Sequence, residues 1–282
     1  KSGGWLKEVK VVLGFIELAM AIKFISNADL TQHWGIIKRE IFIGFWVLCS
    51  LCTTLYLLNV PPFKQKYPVK FSKTKRFFTA FFAVVTLYLI PGVTNTKYAK
   101  LSFISGFPPP YCYSIYDNPY YCDEPLKDYE EAVKLAKEKN KPILIDFTGW
   151  NCVNCRKMEE NVWPLPGIID RLRNDYIVVS LYVDEKVRLF PGNDFAYLLD
   201  PKTGEKLRTV GSKWSAFQVN NFDVSAQPYY VLMHNDGKTL LNKPTDYRNG
   251  HDPKAYKAFL DCGYEAFQRL EAQQKKELIG SR

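Results

Sequence analysis

Three long apolar runs, separated by polar loops, occupy the first third of the chain. They cover residues 9–25, 41–58 and 77–93, and the second and third runs contain no charged residue. A helix needs about 17–25 apolar residues to cross the hydrocarbon core of a bilayer, so we predict about three transmembrane spans within residues 1–104. Buried core helices are the alternative interpretation. A cleavable signal peptide has a single short apolar run and does not fit.

After residue 126 the pattern changes to alternating helices and short strands. Strands are predicted at residues 143–147, 176–183, 229–233 and 238–241, and helices at 128–140, 152–161, 167–174 and 253–272. Residues 186–222, which are interrupted by several Gly and Pro residues, are interpreted as a long insertion into this alternating pattern. The pattern therefore predicts an α/β domain over residues 126–282, joined to the membrane region by a Pro- and Tyr-rich connector over residues 105–125.

The formal net charge of +9 is unevenly distributed. Residues 1–110 hold 14 Lys or Arg against 4 Asp or Glu, whereas residues 111–282 hold 24 against 25. Because the basic excess lies in the apolar part, nucleic-acid binding is disfavoured. The loop between the second and third runs contains only basic charges: Lys64, Lys66, Lys70, Lys73, Lys75 and Arg76. The positive-inside rule assigns this loop to the cytoplasm and the domain after the third span to the opposite side.

Cys152 and Cys155 form a Cys-x-x-Cys motif directly after a predicted strand and at the start of a predicted helix. Unpaired backbone N–H groups and the helix dipole stabilise negative charge there, so the first thiol ionises more easily than a free cysteine with a pKa of about 8.5. The second thiol is within reach of a mixed disulfide formed by the first. We predict that Cys152 is the nucleophile and Cys155 the resolving thiol.

Two acidic residues lie near this motif in the sequence. Asp146 occupies an apolar strand, where an acid is costly unless it has a function, and we predict that it accepts the proton of Cys155. Glu159 follows Cys155 by four residues, on the same side of the helix, and its negative charge would raise the pKa of the cysteine. An ordinary surface acid is an equally good interpretation of Glu159.

The remaining cysteines leave several interpretations open. Cys112 and Cys122 form either a structural disulfide or two separate thiols. Cys49 and Cys52, in the second apolar run, are interpreted as small apolar residues of a packed or lipid-facing helix. Cys262 is predicted to be a buried core thiol.

The segment IDFTGWNCVNCRKMEENVW, with QPYYVLM later in the chain, resembles the thioredoxin superfamily. More narrowly, it resembles the C-terminal extracytoplasmic domain of DsbD-type thiol:disulfide interchange proteins, which are protein-disulfide reductases. The segment GGWLKEVKVVLGFIELAMAIKFIS and the runs after it resemble the last part of that family's membrane domain. The implied fold is a thioredoxin-like α/β domain, with a central mixed sheet flanked by helices, preceded by transmembrane helices.

The resemblance also implies roles for individual residues. Cys152 and Cys155 match the family's redox pair, Asp146 and Glu159 match its two tuning acids, and Pro228 matches the superfamily's cis-proline. From the sequence alone a trans bond before Pro228 is favoured, so the cis expectation comes only from the resemblance. The dipeptide between the cysteines is Val-Asn, and the family's redox potential is not carried over.

The resemblance implies a multi-pass protein of the bacterial inner membrane with its thioredoxin-like domain in the periplasm. In that family the membrane domain takes electrons from cytoplasmic thioredoxin, and the terminal domain passes them to periplasmic disulfide proteins, such as those of cytochrome c biogenesis. The chain begins at Lys1 rather than Met, which indicates a fragment or a processed product. The expected partners are an upstream transmembrane redox domain, periplasmic disulfide-bearing proteins and the lipid bilayer. The redox-active disulfide is expected to work without a separate cofactor.

Two other functions are compatible with the motif. A thiol oxidase or isomerase would use the same cysteines in the opposite direction. A structural zinc-binding module belongs to a different class, and it needs four ligands. The three histidines, His33, His234 and His251, show no paired spacing.

Overall fold

The computed structural model describes residues 3–65, 70–118, 122, 124–193 and 195–280. Lys66 of the basic loop, residues 119–121 and 123 of the predicted connector, and residue 194 of the predicted insertion lie outside the described residues. The chain separates into two units, Lys1–Asp123 and Glu124–Arg282, and each is described by itself.

The first unit is helical: the first two apolar runs each lie in one helix, and the third begins in a helix and ends in a 3₁₀ turn. Its helices are α1 (Gly3–Gln32), α2 (Arg39–Leu58) and α3 (Lys73–Leu89), followed by short 3₁₀ turns at Ile90–Val93, Lys97–Ala99 and Ser102–Ile104. α2 packs against both α1 and α3. Phe42, Ile43 and Leu89 form the centre of its buried apolar cluster.

Among the described residues, two helical stretches are long and apolar enough to cross a membrane. They are Arg39–Leu58, which has 20 residues, and Lys73–Val93, which has 21 and includes the first 3₁₀ turn. The apolar run in α1 contains Lys10, Glu17 and Lys23, and its crossing stays a prediction. Two of the three expected spans are therefore supported by length and composition.

The first part of the predicted connector packs on the helices of the first unit. Arg39 donates from Nη1 to the carbonyl of Pro109, and the Tyr113 hydroxyl donates to Oδ2 of Asp29 at 2.8 Å. Cys112 is bonded to Cys122. Of the two alternatives for these cysteines, the structure therefore contains the disulfide and not two separate thiols. The disulfide joins two positions ten residues apart within this segment.

The second unit alternates helices and strands. Its helices are α4 (Tyr129–Lys139), α5 (Val153–Lys157), α6 (Ile169–Asn174), α7 (Val210–Phe222), α8 (Tyr247–Gly250) and α9 (Pro253–Gly280). Its strands are β1 (Ile143–Thr148), β2 (Ile177–Tyr182), β3 (Leu198–Leu199), β4 (Lys206–Leu207), β5 (Tyr229–Met233) and β6 (Thr245–Asp246). α5 continues directly into a π-helical turn, Met158–Val162.

The main sheet has the strand order β2-β1-β5-β6, with β1 at its centre. β1 pairs parallel with β2 and antiparallel with β5, and β5 pairs antiparallel with β6. The expected mixed sheet flanked by helices is thereby confirmed. The strand β1 is buried along its whole length, so both faces of the sheet are covered.

Alternate residues of β1 face two different cores, since side chains alternate along a strand. Ile143, Ile145 and Phe147 belong to the core shared with α4 and α7. Leu144 belongs to the opposite core, formed with the π turn, α6 and α9. Asp146 follows Leu144 by two residues and therefore lies on the α9 face of the sheet.

The prediction of an insertion over residues 186–222 is wrong for its last 13 residues. Residues 210–222 form α7, whose Trp214 is 2% exposed and belongs to one of the two cores. Thr209 and Ser212 form a reciprocal capping box that starts this helix. Only the part before α7, which contains the small β3–β4 ribbon, is an excursion from the sheet and its helices.

Two further expectations for the second unit need correction. The predicted strand at 238–241 does fold back antiparallel on β5, with the Leu241 N–H group donating to the Leu232 carbonyl. It is reduced to a single bridge between Leu240 and Met233, because the side chain of Asp236 accepts the N–H groups of Lys238 and Thr239 and holds them in a turn. Cys262 is exposed rather than buried, since it lies on the outer side of the amphipathic α9.

Candidate functional site

The loop from Gly149 to Cys152 connects the central strand to the helix that carries the cysteine pair. The backbone N–H groups of Trp150 and Asn151 donate to the carboxylate of Asp184 at 2.9 and 3.2 Å. A Cβ on Gly149 would overlap the side-chain oxygen of Gln227 and would lie 2.9 Å from Oδ2 of Asp184. A larger residue at this position would therefore displace the ends of these two side chains.

Cys152 and Cys155 are bonded to each other, with their Cα atoms 5.3 Å apart. Cys152 is the N-cap of α5, and its Sγ accepts the backbone N–H of Cys155 at 3.1 Å. Cys152 is partly exposed, whereas Cys155 is 1% exposed. In the reduced protein this N–H group and the helix start would stabilise a thiolate on Cys152, the only sulfur of the pair that a large partner can reach.

Asp146 is buried on the same sheet face as the helix that starts at the cysteine pair. Its exposure is 1%, and its Oδ2 accepts a hydrogen bond from the Ser180 hydroxyl at 2.9 Å. Among the described residues, no hydrogen-bond donor contacts its Oδ1. Burial raises the pKa of Asp146 to about 7, and the Ser180 hydrogen bond and the charge of Arg156 oppose this rise. A carboxyl group with this pKa can exchange a proton near neutral pH.

Glu159 is paired with a buried cation instead of being an isolated surface acid. Its Oε1 lies 2.6 Å from Nη2 of Arg156, a side chain that is 5% exposed, while Glu159 itself is 24% exposed. The same Nη2 donates to the hydroxyl of Thr148 at 3.2 Å. Burial raises the pKa of Glu159, and the charge of Arg156 opposes this rise.

Pro228 lies beside the loop that carries the cysteine pair. It precedes Tyr229, which pairs with Phe147, so it is level with the end of β1 that leads into the loop. The Gln227–Pro228 peptide bond is cis, in agreement with the expectation from the resemblance. The structure therefore brings all five predicted site residues to one end of the central strand and its adjoining helix.

Sequence reasoning missed the residues that support this loop. Trp150 stacks on Tyr182 with ring centroids 4.2 Å apart, and its indole N–H donates to Oε2 of Glu185 at 2.8 Å. The sequence feature that could have indicated this support is the pair of acids, Asp184 and Glu185, directly after the clearest predicted strand. Arg156 was also missed, because a basic residue in a polar helix gives no sign that it is buried.

Comparison with known proteins agrees with this geometry. Residues 129–250 match the family model described as a thioredoxin-like domain. The curated relatives are named thiol:disulfide interchange protein DsbD. The one from Pseudoalteromonas atlantica is 25% identical over 175 residues, which cover 62% of this chain and 26% of the relative.

Two further relatives have the same name. The one from Vibrio vulnificus is 22% identical over 183 residues, covering 61% of this chain and 26% of its own length. The one from Campylobacter jejuni is 25% identical over 188 residues, covering 66% and 30%. The chain thus spans between a quarter and a third of the length of these relatives.

Proposed function

We propose that this chain, whose C-terminal part is a thioredoxin-like domain and whose curated relatives are DsbD proteins, is a membrane-anchored protein-disulfide reductase. It passes two electrons from a membrane redox domain to extracytoplasmic disulfide proteins through Cys152 and Cys155. The observation that carries the proposal is the Cys152–Cys155 disulfide at a helix start, with one sulfur partly exposed and the other buried.

The reduced pair would act in two exchange steps. The Cys152 thiolate attacks the disulfide of a partner, so a mixed disulfide forms and one partner sulfur leaves as a thiolate. Cys155 then gives its proton to Asp146 and attacks the sulfur of Cys152. The mixed disulfide breaks, the second partner thiolate leaves, and the Cys152–Cys155 disulfide remains. The partner has gained two electrons, and no separate cofactor takes part.

The cellular setting is part of the same proposal. The two apolar helices, Arg39–Leu58 and Lys73–Val93, support a membrane anchor, and the basic loop between them supports a cytoplasmic position for that loop. The second unit would then face the periplasm of a bacterium. An upstream redox domain of the full-length protein would reduce the disulfide again, as implied by relatives that are three to four times longer than their matched parts.

The direct test is Cys155→Ser in the full-length protein expressed in cells. Without the resolving thiol, mixed disulfides on Cys152 are expected to accumulate, and they are detected by non-reducing electrophoresis and mass spectrometry. Cys262→Ser, which changes an exposed thiol outside the pair, is the matched control and should trap nothing. Absence of any Cys152 adduct in the Cys155→Ser protein would contradict the proposal.

The direction of electron transfer needs a separate measurement. Equilibration of the Cys152–Cys155 pair with glutathione buffers gives its reduction potential. A reductase is expected to lie well below the roughly −120 mV of the strong oxidant DsbA. A value near that of DsbA would favour a thiol oxidase, and zinc bound to the purified reduced protein would favour the structural metal module instead.

A further inference from the structure

An ion pair with a buried cation lies on the helix that carries the cysteine pair, and this cation follows Cys155 in the sequence. Arg156 is 4% exposed, although an arginine is rarely buried without partners. A buried guanidinium is costly unless it is paired, so the identity of its partner is informative. The structure offers two carboxylates, Asp146 and Glu159, for one cation.

The contacts distinguish the two acids. Glu159 forms the ion pair, with Oε1 2.6 Å from Nη2 of Arg156. Asp146 has no such contact: it accepts one hydrogen bond from the hydroxyl of Ser180, and its other oxygen has no hydrogen-bond partner among the described residues. Glu159 is therefore in direct contact with a fixed positive charge that opposes its raised pKa, whereas Asp146 is buried with one oxygen that has no hydrogen-bond partner among the described residues.

The surroundings of Asp146 are otherwise uncharged. The groups that act on it from the packed elements are Ser180 and Tyr182 of β2, Tyr230 of β5, Tyr256 of α9, and Arg156 and Glu159 of the helix that carries the cysteines. Burial raises the pKa of all three tyrosines, so they stay protonated at neutral pH. Arg156 and Glu159 are thus the charges that set the proton affinity of Asp146.

We propose that Arg156 is a positioning residue of the dithiol site, which holds Glu159 in an ion pair and so leaves Asp146 as the carboxyl group that exchanges a proton with Cys155. This inference rests on the proposed function for its chemical purpose. Cys155 loses a proton and Asp146 gains it, while Arg156 keeps its positive charge and its contact with Glu159.

The inference predicts opposite effects for the two members of the pair. Arg156→Met removes the positive charge that lowers the pKa of Asp146, so that pKa should rise. Glu159→Gln removes the competing carboxylate and leaves the positive charge of Arg156 to act on Asp146, so that pKa should fall. A charge removed within about 4–6 Å of a carboxyl group typically moves its titration by about one to three pH units. The double variant should titrate near the wild type.

The readout is the rate at which iodoacetamide alkylates Cys152 in the reduced full chain in detergent, measured from pH 4 to pH 10 by peptide-resolved mass spectrometry. The profile should contain one inflection from the thiol and one near pH 7 from Asp146. Arg156→Met should move the second inflection upward, Glu159→Gln should move it downward, and Asp146→Asn should abolish it. Arg156→Lys, which keeps the charge, should restore the wild-type profile.

Lys157→Met is the matched control, because it removes a positive charge from the next position of the same helix and should leave the inflection in place. The inference is overturned if both pair variants move the inflection in the same direction, or if Glu159→Gln abolishes it while Asp146→Asn keeps it. Alkylation requires no disulfide partner, so these results stand apart from the mixed-disulfide test of the proposed function.

Discussion

Asp146 makes the stability of the second unit depend on pH. Its pKa is about 7 in the folded protein and about 3.9 in an unfolded chain. Between these values the folded state binds one proton more than the unfolded state. The free energy of unfolding therefore falls as the pH rises from about 4 to about 7.

We predict that Asp146→Asn, which cannot ionise, removes the part of this fall that Asp146 contributes and stabilises the second unit above pH 7 by about 2 to 4 kcal/mol. The measurement is hydrogen exchange of the β1 and β2 amides in increasing urea, at pH 5 and pH 8, on the full chain in detergent. Asp223→Asn, at a side chain that is 90% exposed, is the control and should keep the wild-type pH dependence. A steeper pH dependence in Asp146→Asn would contradict the assignment.

At the residue scale, the sequence identified the residues whose type is unusual for their predicted element or whose spacing forms a motif. Asp146 was found because an acid in an apolar strand is costly, and the cysteines were found because their spacing follows a strand and opens a helix. Arg156 violates no local rule: its position in a polar helix is ordinary, and its burial follows from how that helix packs on the sheet. Such a residue becomes visible only when the tertiary structure is known.

At the scale of elements, segments with a strong hydrophobic periodicity were predicted correctly, whereas short segments and segments interrupted by Gly or Pro were not. The strands at 143–147, 176–183 and 229–233 appear as β1, β2 and β5 with small changes at their ends. β6 has only two residues, too few to give a pattern, and it forms because β5 offers a free edge. α7 was missed because the Gly- and Pro-containing residues before it suggested a continuous loop.

The buried position of α7 has a measurable consequence. Trp214 is 2% exposed and contacts Phe217 edge-to-face at a centroid distance of 6.1 Å. We predict that Trp214→Ala destabilises the second unit by about 3 to 5 kcal/mol, because it leaves a large cavity. Phe195→Ala, at a side chain that is 87% exposed in the part before α7, should change stability by less than about 0.5 kcal/mol. Thermal unfolding, monitored by hydrogen exchange of β1, measures the stability of both variants. An equal loss of stability in Trp214→Ala and Phe195→Ala would contradict the placement of α7 in the core.

At the scale of the whole molecule, the chain contains two disulfides that belong to different units. Cys112–Cys122 lies in the first unit, and Cys152–Cys155 lies in the second. The first closes a short loop in a segment that packs on the helices, which is typical of a structural bond. The second joins the two cysteines of the Cys-x-x-Cys motif.

We predict that replacing both Cys112 and Cys122 by Ser lowers the stability of the first unit by about 2 to 3 kcal/mol, the amount expected for a loop of this length. The rate at which the reduced chain reacts with oxidised glutathione should stay unchanged, since that reaction uses the other pair. Hydrogen exchange of α2 and a glutathione assay measure the two effects. Loss of the glutathione reaction in this variant would show that Cys112 and Cys122 take part in electron transfer.

In the proposed relay, the burial of Cys155 and the partial exposure of Cys152 would also limit how the chain serves two partners. An electron donor and an electron acceptor would both need the same sulfur atom, so they could not be attached at the same time. Turnover would therefore be ping-pong, and a large excess of either protein would inhibit the other by competition for one atom. The rate of the whole relay would then depend on how quickly each partner leaves as much as on how tightly it binds.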